Sequence, residues 1–231
     1  MNEVLRQEKK YLINQETMYR MSFQLGKFMH MDDHGESTGY MIRSLYFDSL
    51  TDRDYFEKGE GVEIRRKIRL RNYGPDCDFA NLEMKQKQGA NQKKRSLRLK
   101  KEDAIRLSKG DLSVLLEQHT AFADECFYVM HQHAYRPKCI VTYQRKAFVT
   151  KENSTRVTFD HHIMGTETSF DIFNPKVNEN YILDPSLAIL EVKYNGFLLG
   201  YIKKILNEVD QSETSVSKYY LGRSLMMDPV W

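Results

Sequence analysis

Between Arg65 and Arg71 four cations recur at every second position, a spacing that could do chemistry on anions. Read with a period of two, this stretch puts Val62, Ile64, Arg66, Ile68 and Leu70 on one face. Glu63, Arg65, Lys67, Arg69 and Arg71 fall on the other. Like charges side by side on a sheet face repel one another. Water and salt offset that repulsion if the face is open, and a bound polyanion offsets it if the face is enclosed. Arginine supplies a forked donor for phosphate oxygens and lysine a point charge, so the mixture suits a chain of phosphates. For one strand alone, a solvated outer face is the better explanation of the pattern.

The pattern recurs, and that favours the enclosed face. Glu83, Lys85 and Lys87 alternate with Leu82, Met84 and Gln86; Glu191 and Lys193 alternate with Leu190, Val192 and Tyr194. Lys94 and Arg95 open a further extended segment. Glu8 and Lys10 share a face, as do Tyr143 and Arg145, and Arg156, Thr158 and Asp160. If the strands close into a barrel, alternation assigns one residue set to the inside. A charged inside is a tunnel for phosphate oxygens, and helices would have to cover the apolar outside.

The elements that must position these residues follow from periodicity. Strands are expected over residues 3–13, 41–48, 61–73, 80–88, 93–99, 137–149, 155–162 and 188–194. Helices are expected from Asn14 through Leu25, over 101–107, 111–118, 121–130, 197–209 and 215–225. No repeat or Pro/Gly-rich linker interrupts the 231 residues. The expected class is therefore mainly antiparallel α+β in a single domain spanning residues 1–231, and an enclosed charged face makes it an antiparallel β-barrel with helices packed around it.

Composition excludes several alternatives. The net charge of +3 does not mark a nucleic-acid binder. The 14 tyrosines and 12 phenylalanines are expected in the core rather than under bases, because Tyr11, Phe47, Phe148 and Phe159 fall on apolar faces. The start MNEVLRQEKKYLIN carries charges where a signal peptide is apolar, and no run is long enough to span a bilayer. Cys77, Cys126 and Cys139 are odd in number and contain no C-x-x-C pair, which speaks against disulfides and a thiolate metal site. A reduced, cytoplasmic setting is expected, with room for a partner that tethers the domain at the inner face of a membrane. Asp160-His161-His162 is expected in a strand-end loop, and Tyr46 and Asp48 are expected either to position a neighbouring lysine or arginine or to hold the structure together.

With these residues in place, the chain resembles the VTC domain, the polyphosphate-polymerase domain of the triphosphate tunnel metalloenzymes, whose relatives include the CYTH proteins. The resemblance rests on an ordered set of motifs. They are E-x-K-Y (Glu8 to Tyr11), I-R-S-L-Y-F-D (Ile42 to Asp48), R-x-K-x-R-x-R-x-Y (Arg65 to Tyr73) and L-E-x-K (Leu82 to Lys85). Y-x-R (Tyr143 to Arg145), R-x-T-x-D (Arg156 to Asp160), L-E-x-K (Leu190 to Lys193) and S-K-Y (Ser217 to Tyr219) complete it. The superfamily's opening E-x-E-x-K is only E-x-K here, with Arg6 at the earlier position, which matches the VTC branch rather than a cyclase.

The resemblance implies a triphosphate tunnel and a divalent cofactor, Mn²⁺ or Mg²⁺. It implies catalytic roles for Arg69, Arg71, Lys85 and Lys218, and substrate contacts from Lys10, Lys94, Tyr143, Arg145 and Arg156. Arg65 and Lys67 join the substrate contacts because they share the face of Arg69 and Arg71. Glu191 resembles the metal ligand; Glu83, like Glu8, is either a metal ligand or a salt-bridge partner that orients cations. The implied reaction is transfer of the γ-phosphate of ATP, or of another triphosphate, to inorganic polyphosphate. Triphosphate hydrolysis in the same tunnel and binding without catalysis remain open. The chain has no room for the SPX domain or membrane segments of the eukaryotic assemblies, so control by inositol phosphates through such a domain is not expected.

Overall fold

A computed structural model describes residues 6–35, 39–89, 91–209 and 213–227. The elements in order are β1 (Arg6–Asn14), α1 (Gln15–Leu25), β2 (His30–Met31), β3 (Tyr40–Asp48), α2 (Arg53–Gly59), β4 (Ile64–Asn72), β5 (Phe79–Gln88) and β6 (Asn91–Lys100). They continue with α3 (Lys101–Ser108), α4 (Ser113–Leu116), α5 (Ala121–Gln132), β7 (Arg136–Val149), a 3₁₀ turn at Glu152–Ser154 and β8 (Arg156–Thr166). Last come β9 (Asn180–Tyr181), β10 (Leu187–Asn195), α6 (Gly200–Leu206) and α7 (Lys218–Met227). The expected strands and most expected helices are found within a few residues. The start of the first strand at Glu3 lies outside the described residues.

The strands form an antiparallel sheet in the order β1-β10-β8-β7-β3-β4-β5-β6. That order has two ends, so the sheet is open and not the closed barrel expected from alternation. Closure needs a second partner for β6, and this strand instead carries Lys93, Lys94, Arg98 and Lys100, all exposed. Lysines and arginines on an edge strand oppose further pairing.

The chain divides into two compact units. The first comprises Met1–Met41, Tyr143–Ile163 and Leu183–Ser217; the second comprises Ile42–Thr142, Met164–Ile182 and Lys218–Trp231. In the first unit, Asn14 Oδ1 accepts from the Thr17 amide at 2.8 Å and caps α1. Met18, Met21, Ser22 and Leu25 then form its buried stripe. This stripe and Ile202, Ile205 and Leu206 of α6 pack on Val157, Phe159, Leu190 and Val192 of the strands. In the second unit, Ile68, Leu70, Leu82, Met84 and Leu99 pack against Leu107, Val114, Leu115, Ala123 and Met130 of α3 to α5. Each such leucine, isoleucine, valine or methionine contributes roughly 1.5–3 kcal/mol by leaving water. In both units helices cover the apolar sheet face, and the charged residues occupy the other.

Helix α2 has no counterpart among the expected elements. Its N-cap Asp52 adopts φ 55° and its side chain caps nothing. The capping carboxylate is that of Asp48, at the end of β3: Oδ1 accepts from the amides of Ser49 (2.7 Å) and Asp54 (2.9 Å), and Oδ2 accepts from Tyr55 N (3.0 Å). Tyr219 of α7 donates its hydroxyl to the same Oδ2 at 2.5 Å. Asp48 therefore anchors two helices rather than positioning a cation.

Beside it, Asp54 is 1% exposed. One oxygen accepts from Tyr135 Oη at 2.8 Å, and the other is buried without a hydrogen-bond partner. Burial, and then the nearby Asp48 carboxylate, push its pKa up to about 8, against donation from Tyr135. A carboxyl neutral in the fold but ionised in the unfolded chain binds its extra proton only in the fold. Stability should therefore fall as pH rises from about 4 to 8, and level off above that. Denaturant titrations across this range should show that slope, and Asp54→Asn should flatten it.

Candidate functional site

In the second unit, register turns the charged face of β4, β5 and β6 into rows. Lys67, Lys85 and Lys94 oppose one another across the three strands; Tyr46, Arg69, Glu83 and Ser96 make the next row, with β3 included. Ser44, Arg71, Asn81 and Arg98 follow, and Arg65 pairs with Lys87 at the other end. Glu83, 4% exposed, is the single carboxylate among these. Arg69 donates to its Oε2 through Nε (2.7 Å), and Nη2 lies 2.6 Å from the same oxygen. Lys94 (2.5 Å) and Arg71 (3.7 Å) meet Oε1. Burial acts to raise the Glu83 pKa, but Arg69, Arg71 and Lys94 outweigh it and hold the carboxyl well below the usual range. Burial lowers the pKa of Lys94, and Arg71 and Arg69 add to this against Glu83.

Tyr46 fixes the other side of Arg69. Its hydroxyl accepts from Nη1 at 3.0 Å, and its ring stacks on Tyr219 with centroids 5.1 Å apart. Lys218, half-buried, precedes Tyr219 at the start of α7, so the Tyr219 bond to Asp48 sets where Lys218 sits. Arg65 donates to the Val62 carbonyl at 2.6 Å.

In the first unit, register places Lys10 opposite Glu191 and Glu8 opposite Lys193 on β1 and β10. Lys10 Nζ lies 2.9 Å from Glu8 Oε1 and 3.6 Å from Glu191 Oε2; Lys193 pairs with Glu191 and lies 3.9 Å from Glu8. Burial acts to lower the Lys10 pKa, but Glu191 and then Glu8 outweigh it, and the net shift is upward. Arg145 grips the fully buried Asp160 with a fork, Nε to Oδ1 at 2.6 Å and Nη2 to Oδ2 at 2.7 Å, and lies over the Tyr143 ring. Arg156 Nη2 donates to Asp32 Oδ2 (2.6 Å) and Tyr40 Oη (3.2 Å). Asp32 and Tyr40 were not foreseen, because nothing local links them to a strand more than a hundred residues away.

His161 and His162 stay inside β8 rather than in a strand-end loop. His162 adopts φ 48°, which breaks the alternation and brings the two Nδ1 atoms to 2.6 Å.

Among the described residues no group of three or more His, Cys, Asp or Glu is arranged around a metal position. A hard divalent ion needs only one or two carboxylates when phosphate oxygens and water complete its shell. Glu8 and Glu191, two carboxylates shared by Lys10 and Lys193, supply that number. Glu83, with three cations on its two oxygens, fits that requirement poorly and has the surroundings of a salt-bridge partner.

The fold and these rows define an antiparallel α+β protein with a charged sheet face suited to neutralising linked phosphates. The family model of the VTC domain matches residues 5–227, and the chain belongs to the VTC domain family. Among curated proteins none matches the chain at a significant level. A Bacillus halodurans structure described as a candidate adenylate cyclase is 14% identical, with 92% of this chain and 95% of that one covered and a TM-score of 0.53. A Pyrococcus horikoshii protein is 12% identical, with 96% and 98% covered and a TM-score of 0.47. The likeness to the Bacillus halodurans structure shows a shared fold and nothing more. No described helix is long and apolar enough to cross a membrane.

Proposed function

We propose that this VTC domain is an ATP-dependent polyphosphate polymerase working as one domain with Mn²⁺ or Mg²⁺. The observation that carries the reading is the set of cation rows around Glu83 on β4, β5 and β6. Phosphoryl transfer asks a protein mainly to position groups and neutralise charge. Arg69, Arg71, Lys85, Lys94 and Lys218 would hold the triphosphate, with Arg65 and Lys67 extending the same face. In the first unit Lys10 and Arg156 would take phosphate oxygens, Tyr143 would support Arg145, and Arg145 has Nη1 left to offer after its fork to Asp160. Glu191, with Glu8, would hold the metal, which supplies charge neutralisation at phosphate oxygens.

No side chain need act as nucleophile. An oxygen of the terminal acceptor phosphate forms the new bond to the γ-phosphorus, the bond to the β,γ-bridging oxygen breaks, and ADP leaves with that oxygen. A cytoplasmic setting, free or held at a membrane by a partner, supplies the ATP.

Purified protein incubated with ATP and Mn²⁺ should give long polymer on a polyacrylamide gel. Glu191→Gln, assayed at a temperature where its circular dichroism shows it folded, should give none. Orthophosphate without polymer would replace this reading with a triphosphatase. Salt-sensitive polyphosphate binding without turnover would replace it with a binding module.

A further inference from the structure

We propose that Arg98, held over Phe79, is a phosphate subsite that extends the second unit's charged face beyond a triphosphate and selects long chains. This rests on the phosphate-chain reading above. Phe79, Asn81, Glu83, Lys85 and Lys87 alternate along one face of β5. Their partners across β4 and β6 run from Arg65 and Gln92 at one end to Arg98 and Lys100 at the other. Alternate residues on a strand lie about 7 Å apart, so the four steps from Lys87 to Phe79 cover roughly 27 Å. Three linked phosphates fill only part of that length.

The distribution of partners along the face separates two kinds of cation. Arg69, Arg71 and Lys94 share Glu83. Arg98 makes no ion pair with a described carboxylate; its guanidinium carbon sits 4.1 Å from the centroid of the Phe79 ring. On the opposite face of β6, Arg95 is forked onto Glu125. The same strand therefore pairs the cation that faces the helices and leaves Arg98 with its donors open. Exposed cations on an edge strand also deter strand pairing. That duty needs charge but no fixed placement, whereas the Phe79 ring gives the Arg98 guanidinium a defined seat beside the row of cations. Lys100, in register with Phe79, adds a further exposed charge at this end.

The test is a titration of the intact protein with tripolyphosphate and with size-fractionated long-chain inorganic polyphosphate. Arg98→Gln should weaken long-chain binding on the order of tenfold, the size of one lost contact of about 1.4 kcal/mol. Tripolyphosphate binding should not change. Phe79→Leu should give a smaller loss with the same selectivity. Equal losses for both ligands, no loss for the long chain, or an equal loss for oligouridylate would overturn the subsite. A wild-type protein that binds neither phosphate ligand would instead overturn the phosphate-chain reading. One that binds tripolyphosphate as tightly as the long chain would overturn the subsite alone.

Discussion

Replacing Glu83 with glutamine is expected to lower the stability of the protein by about 3 kcal/mol, the low end of the cost of breaking a buried ion pair. Glutamine keeps the shape and one acceptor oxygen but removes the charge that Arg69, Arg71 and Lys94 share. Three cations on neighbouring strands would then face one another with no carboxylate among them. For a chain of this length the loss corresponds to a melting temperature lower by about 6–12 °C. Tripolyphosphate should raise the melting temperature of the variant more than that of the wild type, because a bound anion supplies the missing neutralisation. The pH dependence has a definite sign. The folded pKa of Glu83 is depressed, so its contribution is present above the ordinary value of 4.5 and is lost only as pH falls through the lower folded value. The two proteins should differ by a constant amount at neutral pH and converge only in strong acid. Equal melting temperatures, or equal shifts with tripolyphosphate, would mean that Glu83 does not hold these cations together.

Much of this face was legible because alternation is a local property. Once β4 and β5 are strands with Ile68 and Leu70 buried, Arg69 and Arg71 must face Glu83 or its neighbours, and register supplies the rest. Helices α1 and α5 were legible for a similar reason, since Asn14 and Thr120 cap them from adjacent positions. Helix α2 was not, because its amides are capped by Asp48 from beyond the intervening turn. The expected barrel failed for a different reason. Alternation tells which residues share a face, but whether two edge strands meet depends on twist and on the charges along β6. At His161 and His162 one positive φ overrode the period of two. The Arg156 partners, Asp32 and Tyr40, lie in a connection whose path no periodicity encodes. Glu191 and Lys10 stood out in the sequence, yet only register placed Glu8 and Lys193 beside them in a cross-strand quartet.

Arg145→Leu is expected to cost about 3–5 kcal/mol, because it takes the forked cation away from a carboxylate with no exposed surface. Both Asp160 oxygens accept from the guanidinium, and burial, which alone would lower the Arg145 pKa, is outweighed by Asp160. The double variant Arg145→Leu with Asp160→Leu should lose much less than the two single variants together, since no unpaired charge is left inside. Denaturant titrations of the four proteins measure that coupling, and additivity within about 0.5 kcal/mol would show that the pair is not a unit. The cycle also separates two meanings of lost activity. If Arg145 acts only by holding β7 to β8, phosphate affinity should return in the double variant wherever it is folded. If Nη1 also contacts phosphate, affinity stays low in a double variant that melts normally. Arg145→Lys sharpens the distinction, because it keeps the charge but cannot make the fork to Asp160.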